Sequence, residues 1–91
     1  PKDRGMLFKF PHQSEATFWG KNTYIPLDVA FVDKHGKITQ IAKIAPLSTR
    51  LIHSKNMCSM AIETNAGFFD EHGIKAGDTI ELKGNEVLFK T

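Results

Sequence analysis

The pattern of this chain predicts a mostly-β domain: a small antiparallel barrel-like roll of about seven strands, with one short helix across it. Three observations carry that expectation. Apolar and polar residues alternate with period two over most of the chain. Turn-forming residues recur about every eight to twelve positions. Helix signals cluster in a single segment, which puts the fold at the margin of α+β, and parallel βαβ units would need several helices.

The elements follow in order. Met6–Phe10 ("MLFKF") is a short apolar strand closed by Pro11. Ala16–Ile25 ("ATFWGKNTYI") is rich in aromatic and β-branched residues and reads as extended until Pro26, which lacks the N–H a central ladder needs. In "LDVAFVD", Leu27, Val29 and Phe31 face one way, while Asp28, Ala30 and Val32 face the other. The turn "DKHG" (Asp33–Gly36) then leads into Lys37–Ile44, and the two strands form an antiparallel hairpin. Ala45–Asn56 has no clean period and reads as a long crossing loop, a feature that often covers a functional surface. Met57–Thr64 is a further strand. Asn65–Gly73 is the helix, with Asn65 as N-cap, Gly73 at the C′ position, and Phe68 or Phe69 packed on the sheet. After a turn at Gly77, a second hairpin bends at Gly84-Asn85.

Composition bounds the function classes. The chain has 91 residues, enough for a single domain spanning 1–91. Its net charge is +2 and its lysines are scattered singly, so no basic stripe points to nucleic acid. Lys2 and Arg4 read as solvated loop ends. The single cysteine, Cys58, cannot form a disulfide within the chain. It stands in the apolar "MCSM", where a thiol is a small hydrophobe rather than a nucleophile. Neither a transmembrane segment nor a signal peptide is visible. The chain begins at Pro1, and the expectation is that an upstream strand or targeting segment precedes it in the native protein.

Particular motifs resemble one family. Phe18-Trp19, Lys21-Asn22-Thr23 and Ile25-Pro26-Leu27-Asp28 form the sharpest element; Glu63, Asn65, Ala66 and Gly67 form a second. With "GMLFKF" and "HGIKAGD", these resemble the prokaryotic domain of unknown function 192, an uncharacterised protein family. The resemblance implies a β-rich barrel-like domain, often exported or membrane-tethered in bacteria, and supplies no activity. Two departures stand out. Gly20 occupies a position where the family usually has Met, which removes a side chain and opens a gap or permits a bulge. Members also usually start with another strand or two, whose absence here leaves a sheet edge open to a second copy of the chain.

The candidate site gathers around Asp28, a carboxylate inside an apolar run that is costly to bury without partners. Lys21 and Asn22 are the nearest candidate partners in sequence, and the backbone N–H groups around Pro26 are another source of hydrogen bonds. The ligand-binding set is Trp19, Lys21, Asn22, Asp28 and Glu63: an aromatic platform, an ammonium, an amide and two carboxylates. The structural alternative makes Asp28 a brace for the chain reversal and Trp19 a core plug. The four histidines (His12, His35, His53 and His72) stand alone in separate segments, and no metal-ligand spacing or cofactor motif occurs. Ser48–Arg50 ("STR") is a weak anion-binding signal, and Met57 and Met60 read as core filling.

Three functional readings follow. The preferred one is an accessory binding module, with a cleft between Trp19–Asp28 and Ala45–Asn56 for a small polar, saccharide-like ligand. The second is a small hydrolase or lyase using Asp28 and Glu63 with Lys21, whose carboxylates would approach within about 5–10 Å. The third is a structural interaction domain docking through its first strand.

Overall fold

The computed structural model describes residues 5–84 and 86–90. The strands are β1 (Gly5–Ser14), β2 (Thr17–Phe18), β3 (Leu27–Val32), β4 (Ile38–Ile44), β5 (Ile52–His53), β6 (Cys58–Asn65), β7 (Thr79–Lys83) and β8 (Glu86–Lys90). The helix α1 (Phe68–Glu71) lies between β6 and β7. Lys2 and Arg4 lie outside the described residues.

The protein is mostly β, as its alternation predicts, but its sheets do not close into a barrel. The centre is a four-stranded sheet of order β1-β6-β3-β4, antiparallel throughout. Two separate ribbons, β2-β5 and β7-β8, complete the described strands. β3 is buried along its whole length because both faces of the sheet are covered. On one face Leu27, Val29, Phe31, Ile44 and Ala61 pack with Ala16, Phe18 and Ile52 from around the β2-β5 ribbon. On the other, Ala30, Val32 and Ile62 pack with Phe69, Ile74 and Ile80 from α1 and the β7-β8 hairpin. The short ribbons lie over the two faces of the sheet, where barrel closure would have joined its edges.

Several elements differ from their predicted bounds for identifiable reasons. β1 continues through Pro11 to Ser14 because it is an edge strand pairing with β6 alone. A missing N–H is tolerated at an edge, and the register shifts between Lys9 and Ser14. The Ala16–Ile25 stretch is extended only at Thr17–Phe18. Beyond it the chain turns: Thr23 N–H and its Oγ1 both donate to the Gly20 carbonyl, each at 3.0 Å. Gly20 is a close approach rather than a gap, since a Cβ there would overlap the carbonyl oxygen of Ala45.

The β3-β4 hairpin forms as expected. Asp33 Oδ1 accepts from the N–H groups of His35 (2.8 Å) and Lys37 (3.0 Å), and Gly36 has φ 78°. The β7-β8 hairpin also forms, with Gly84 at φ 63°; Asn85 lies outside the described residues. The helix is shorter than predicted. Asn65 ends β6 instead of capping α1, and the N-cap is Gly67 with φ 91°. Gly73 has the positive φ its C′ position requires.

Candidate functional site

Asp28 is the one charged residue in β3, and it is 3% exposed. The antiparallel register sets Thr64 of β6 and Lys43 of β4 directly opposite it, on the face that carries Ala30 and Val32. One carboxylate oxygen, Oδ2, accepts the Gly67 N–H at 3.0 Å, so a side chain 39 residues away supplies the acceptor missing at the start of α1. The chain is tied again nearby, where Ala66 N–H donates to the Pro26 carbonyl at 3.1 Å. The other oxygen, Oδ1, is buried and has no partner among the described residues. A buried carboxylate oxygen is ordinarily paired, and leaving one unpaired costs on the order of 1–3 kcal/mol.

Asp28 lines a cleft of about 500 Å³ between Pro26–Asp28 and the segment from Ala45 to Ile52. Leu27, Ile44, Pro46 and Ile52 form apolar walls, and Lys43, Ser48 and Arg50 bring polar groups. The rim is shaped by a turn in which Ser48 N–H reaches the Ala45 carbonyl and Leu47 holds a positive φ of 56°. Leu47 N–H donates to the Thr23 carbonyl at 2.9 Å, joining this rim to the Gly20–Thr23 turn. Arg50 N–H donates to Ser48 Oγ at 3.1 Å. Asp28 and Lys43 also line a second groove, of about 310 Å³, that runs toward Phe69 and Lys75.

Of the five residues expected to gather at a site, the cleft contains Asp28 alone. Trp19 is 45% exposed, so it is not a core plug, and its ring carries the Lys21 ammonium at 5.2 Å from the centroid. Lys21 and Asn22 are exposed and do not partner Asp28, because the turn after Gly20 carries them away from β3. Glu63 is opposite Val29, on the other face of the sheet from Asp28. The two carboxylates therefore do not share a cleft, and the hydrolase or lyase arrangement is corrected on that ground. Burial raises the pKa of the Glu63 carboxyl.

Lys43 lines the cleft although the sequence reading does not single it out, and Ser48 and Arg50, a weak anion-binding signal in the sequence, line it as well. Lys43 faces Asp28 because the β3-β4 register shifts by one residue between Phe31 and Val32. An unshifted ladder would set Ala42 there, and nothing in the sequence announces such a bulge.

Elsewhere the residues have structural roles. Cys58 is fully buried, donates its S–H toward the Ser14 carbonyl at 3.4 Å, and has its thiol pKa raised by burial. Met60 packs on the core, whereas Met57 is exposed and does not. Among the described residues, no group of three or more His, Cys, Asp or Glu side chains could hold a metal ion. No described helix is long and apolar enough to cross a membrane.

Comparison with known proteins places this geometry in context. A crystal structure of a candidate transcription regulator from Sinorhizobium meliloti 1021 is similar at TM-score 0.85 and 36% identity, over 89% of this chain and 64% of that one. A protein of unknown function from Novosphingobium aromaticivorans DSM 12444 is similar at TM-score 0.85 and 32% identity, over 90% and 59% respectively. This chain thus spans less than two thirds of either relative's length. No curated protein matches it. The profile of an uncharacterised family, Uncharacterized ACR, matches residues 1–82, and the chain belongs to that family, the domain of unknown function 192.

Proposed function

We propose that the domain is a non-catalytic binding module whose cleft beside Asp28 takes a small polar ligand bearing hydroxyl groups, of the saccharide kind. The observation that carries this reading is the buried Oδ1 of Asp28, which lacks a partner in a residue lining the cleft. That oxygen is closed to the cleft in the structure, so binding would open the Pro26–Asp28 wall to let a ligand hydroxyl donate to it, and bonds to charged groups are among the stronger ones. Leu27, Ile44, Pro46 and Ile52 suit the C–H face of a sugar ring. A few polar groups among apolar walls is the usual make-up of a small-molecule site.

A nucleic-acid role draws only on the description of the Sinorhizobium relative, and a net charge of +2 on scattered lysines gives it no further support. Docking through β1 is the second reading, favoured by Met6, 58% exposed on an edge strand.

Asp28→Asn separates the two. Asparagine keeps an oxygen to accept the Gly67 N–H, so the variant is expected to melt within about 1 kcal/mol of the parent. Calorimetric titration with a panel of monosaccharides and disaccharides is expected to find binding to the parent that weakens at least about tenfold in the variant. Equal binding by both proteins, or a large loss of stability with no sugar bound by the parent, overturns the proposal.

A further inference from the structure

We infer that the ligand of this cleft is a hydroxy acid of the sugar-acid class, a single carboxylate on a polyhydroxylated ring, and that Lys43 and Arg50 select for that carboxylate; this rests on the binding-module reading above. The ionisable residues lining the cleft are Asp28, Lys43 and Arg50, which leaves one positive charge in excess. The whole chain carries only +2, so this excess is a local feature.

The two cations are available to a ligand. Lys43 is directly opposite Asp28 in the β3-β4 ladder, a placement in which opposite charges ordinarily pair. They do not pair here: the ion pairs among the described residues are Lys75–Asp78 and Lys90–Glu81. Asp28 instead turns one oxygen to the Gly67 N–H. Arg50 is exposed, on a segment fixed by the bond from its own N–H to Ser48 Oγ. Its planar guanidinium can meet a carboxylate with two parallel hydrogen bonds.

Donor and acceptor demands then divide cleanly. Asp28 Oδ1 needs a donor, which a ring hydroxyl supplies. Lys43 and Arg50 are exposed cations that can exchange water for an acceptor, which the ligand carboxylate supplies. A single negative charge balances the cleft. A phosphate ester carries nearly two, and the Asp28 carboxylate would repel the second.

The test is calorimetric titration of the folded domain at low ionic strength with D-galactose, D-galacturonate, D-glucose, D-glucuronate and glucose 6-phosphate. The uronates are expected to bind at least about tenfold more tightly than their neutral counterparts, an advantage that shrinks as salt is added. Lys43→Gln and Arg50→Gln, both at exposed positions, are expected to weaken the uronates by more than the neutral sugars, so that the advantage disappears. Equal affinity for uronates and neutral sugars, or tighter binding of the phosphate ester, overturns this inference and leaves the cleft reading standing. If none of the five binds, both fall.

Discussion

At the scale of single residues, two carboxylates one sheet apart illustrate different consequences of burial. Asp28 and Glu63 each stand in a strand of the central sheet, on opposite faces. Asp28 accepts a backbone N–H and holds the start of α1. Glu63 is half-buried between Met6 of β1 and Val29 of β3, and desolvation raises its pKa. A carboxyl whose folded pKa is raised favours the folded state while it is protonated and loses that contribution as pH rises through the folded value. Glu63→Gln should therefore raise the melting temperature at pH 7. The gain should fade as pH falls through the raised folded value and be gone below the ordinary value of 4.5, where the parent is protonated in both states. Melts of parent and variant between pH 3.5 and 8 check this, and a gain that grows on acidification would contradict it. Asp28 was legible in the sequence because a charge inside an apolar run demands a partner. Its actual partner, Gly67 N–H, is 39 residues away and leaves no local trace.

At the scale of elements, the turn at the cleft rim carries a backbone conformation that its residue disfavours. Pro46-Leu47 form the centre of the turn closed by Ser48 N–H and the Ala45 carbonyl, with Leu47 at φ 56°. Glycine usually fills such a position, because a Cβ in the left-handed region costs about 1–2 kcal/mol. Leu47 is 56% exposed, so its side chain returns little of that cost by packing. Leu47→Gly is expected to stabilise the domain by about 0.5–1 kcal/mol, seen as a melting point higher by several degrees. An unchanged or lower melting point would mean that the leucine side chain packs more strongly than its exposure suggests.

The same turn marks how far sequence reading reached. Loss of periodicity after Ile44 flagged Ala45–Asn56 as a covering segment, and that segment supplies one wall of the cleft. The misplaced elements have local causes: the Gly20–Thr23 turn breaks an alternation that otherwise reads as one strand. That turn separates Trp19, Lys21 and Asn22 from Asp28. The bulge between Phe31 and Val32 likewise moved Lys43 into register with Asp28.

At the scale of the whole molecule, one sheet divides two cores, and each core depends on short covering pieces. Period-two patterning made the sheet legible. The pairing of sequence-distant strands, β1 with β6 and β3 with β6, rests on packing that no local signal encodes. Cys58 reports on this integrity. It is fully buried in the core beneath Ala16 and Phe18, and burial raises its thiol pKa. Reaction with a thiol reagent therefore requires the domain to open. Labelling by Ellman's reagent at pH 8 is expected to be at least about a thousandfold slower than in urea-unfolded chain, given ordinary domain stability. Rapid labelling of the folded protein would mean that the β2-β5 ribbon lifts independently of the sheet.

The proposed function rests on the buried, half-satisfied carboxylate of Asp28 beside the cleft. The most direct measurement is an amide-resolved NMR titration of the parent protein with the neutral sugars and uronates, following Gly67, the amide donated to that carboxylate. The predicted result is a saturable shift of Gly67 together with amides between Ala45 and Ile52, needing at least about tenfold more ligand in Asp28→Asn. Shifts confined to the β1 edge, or none at millimolar ligand, would contradict it.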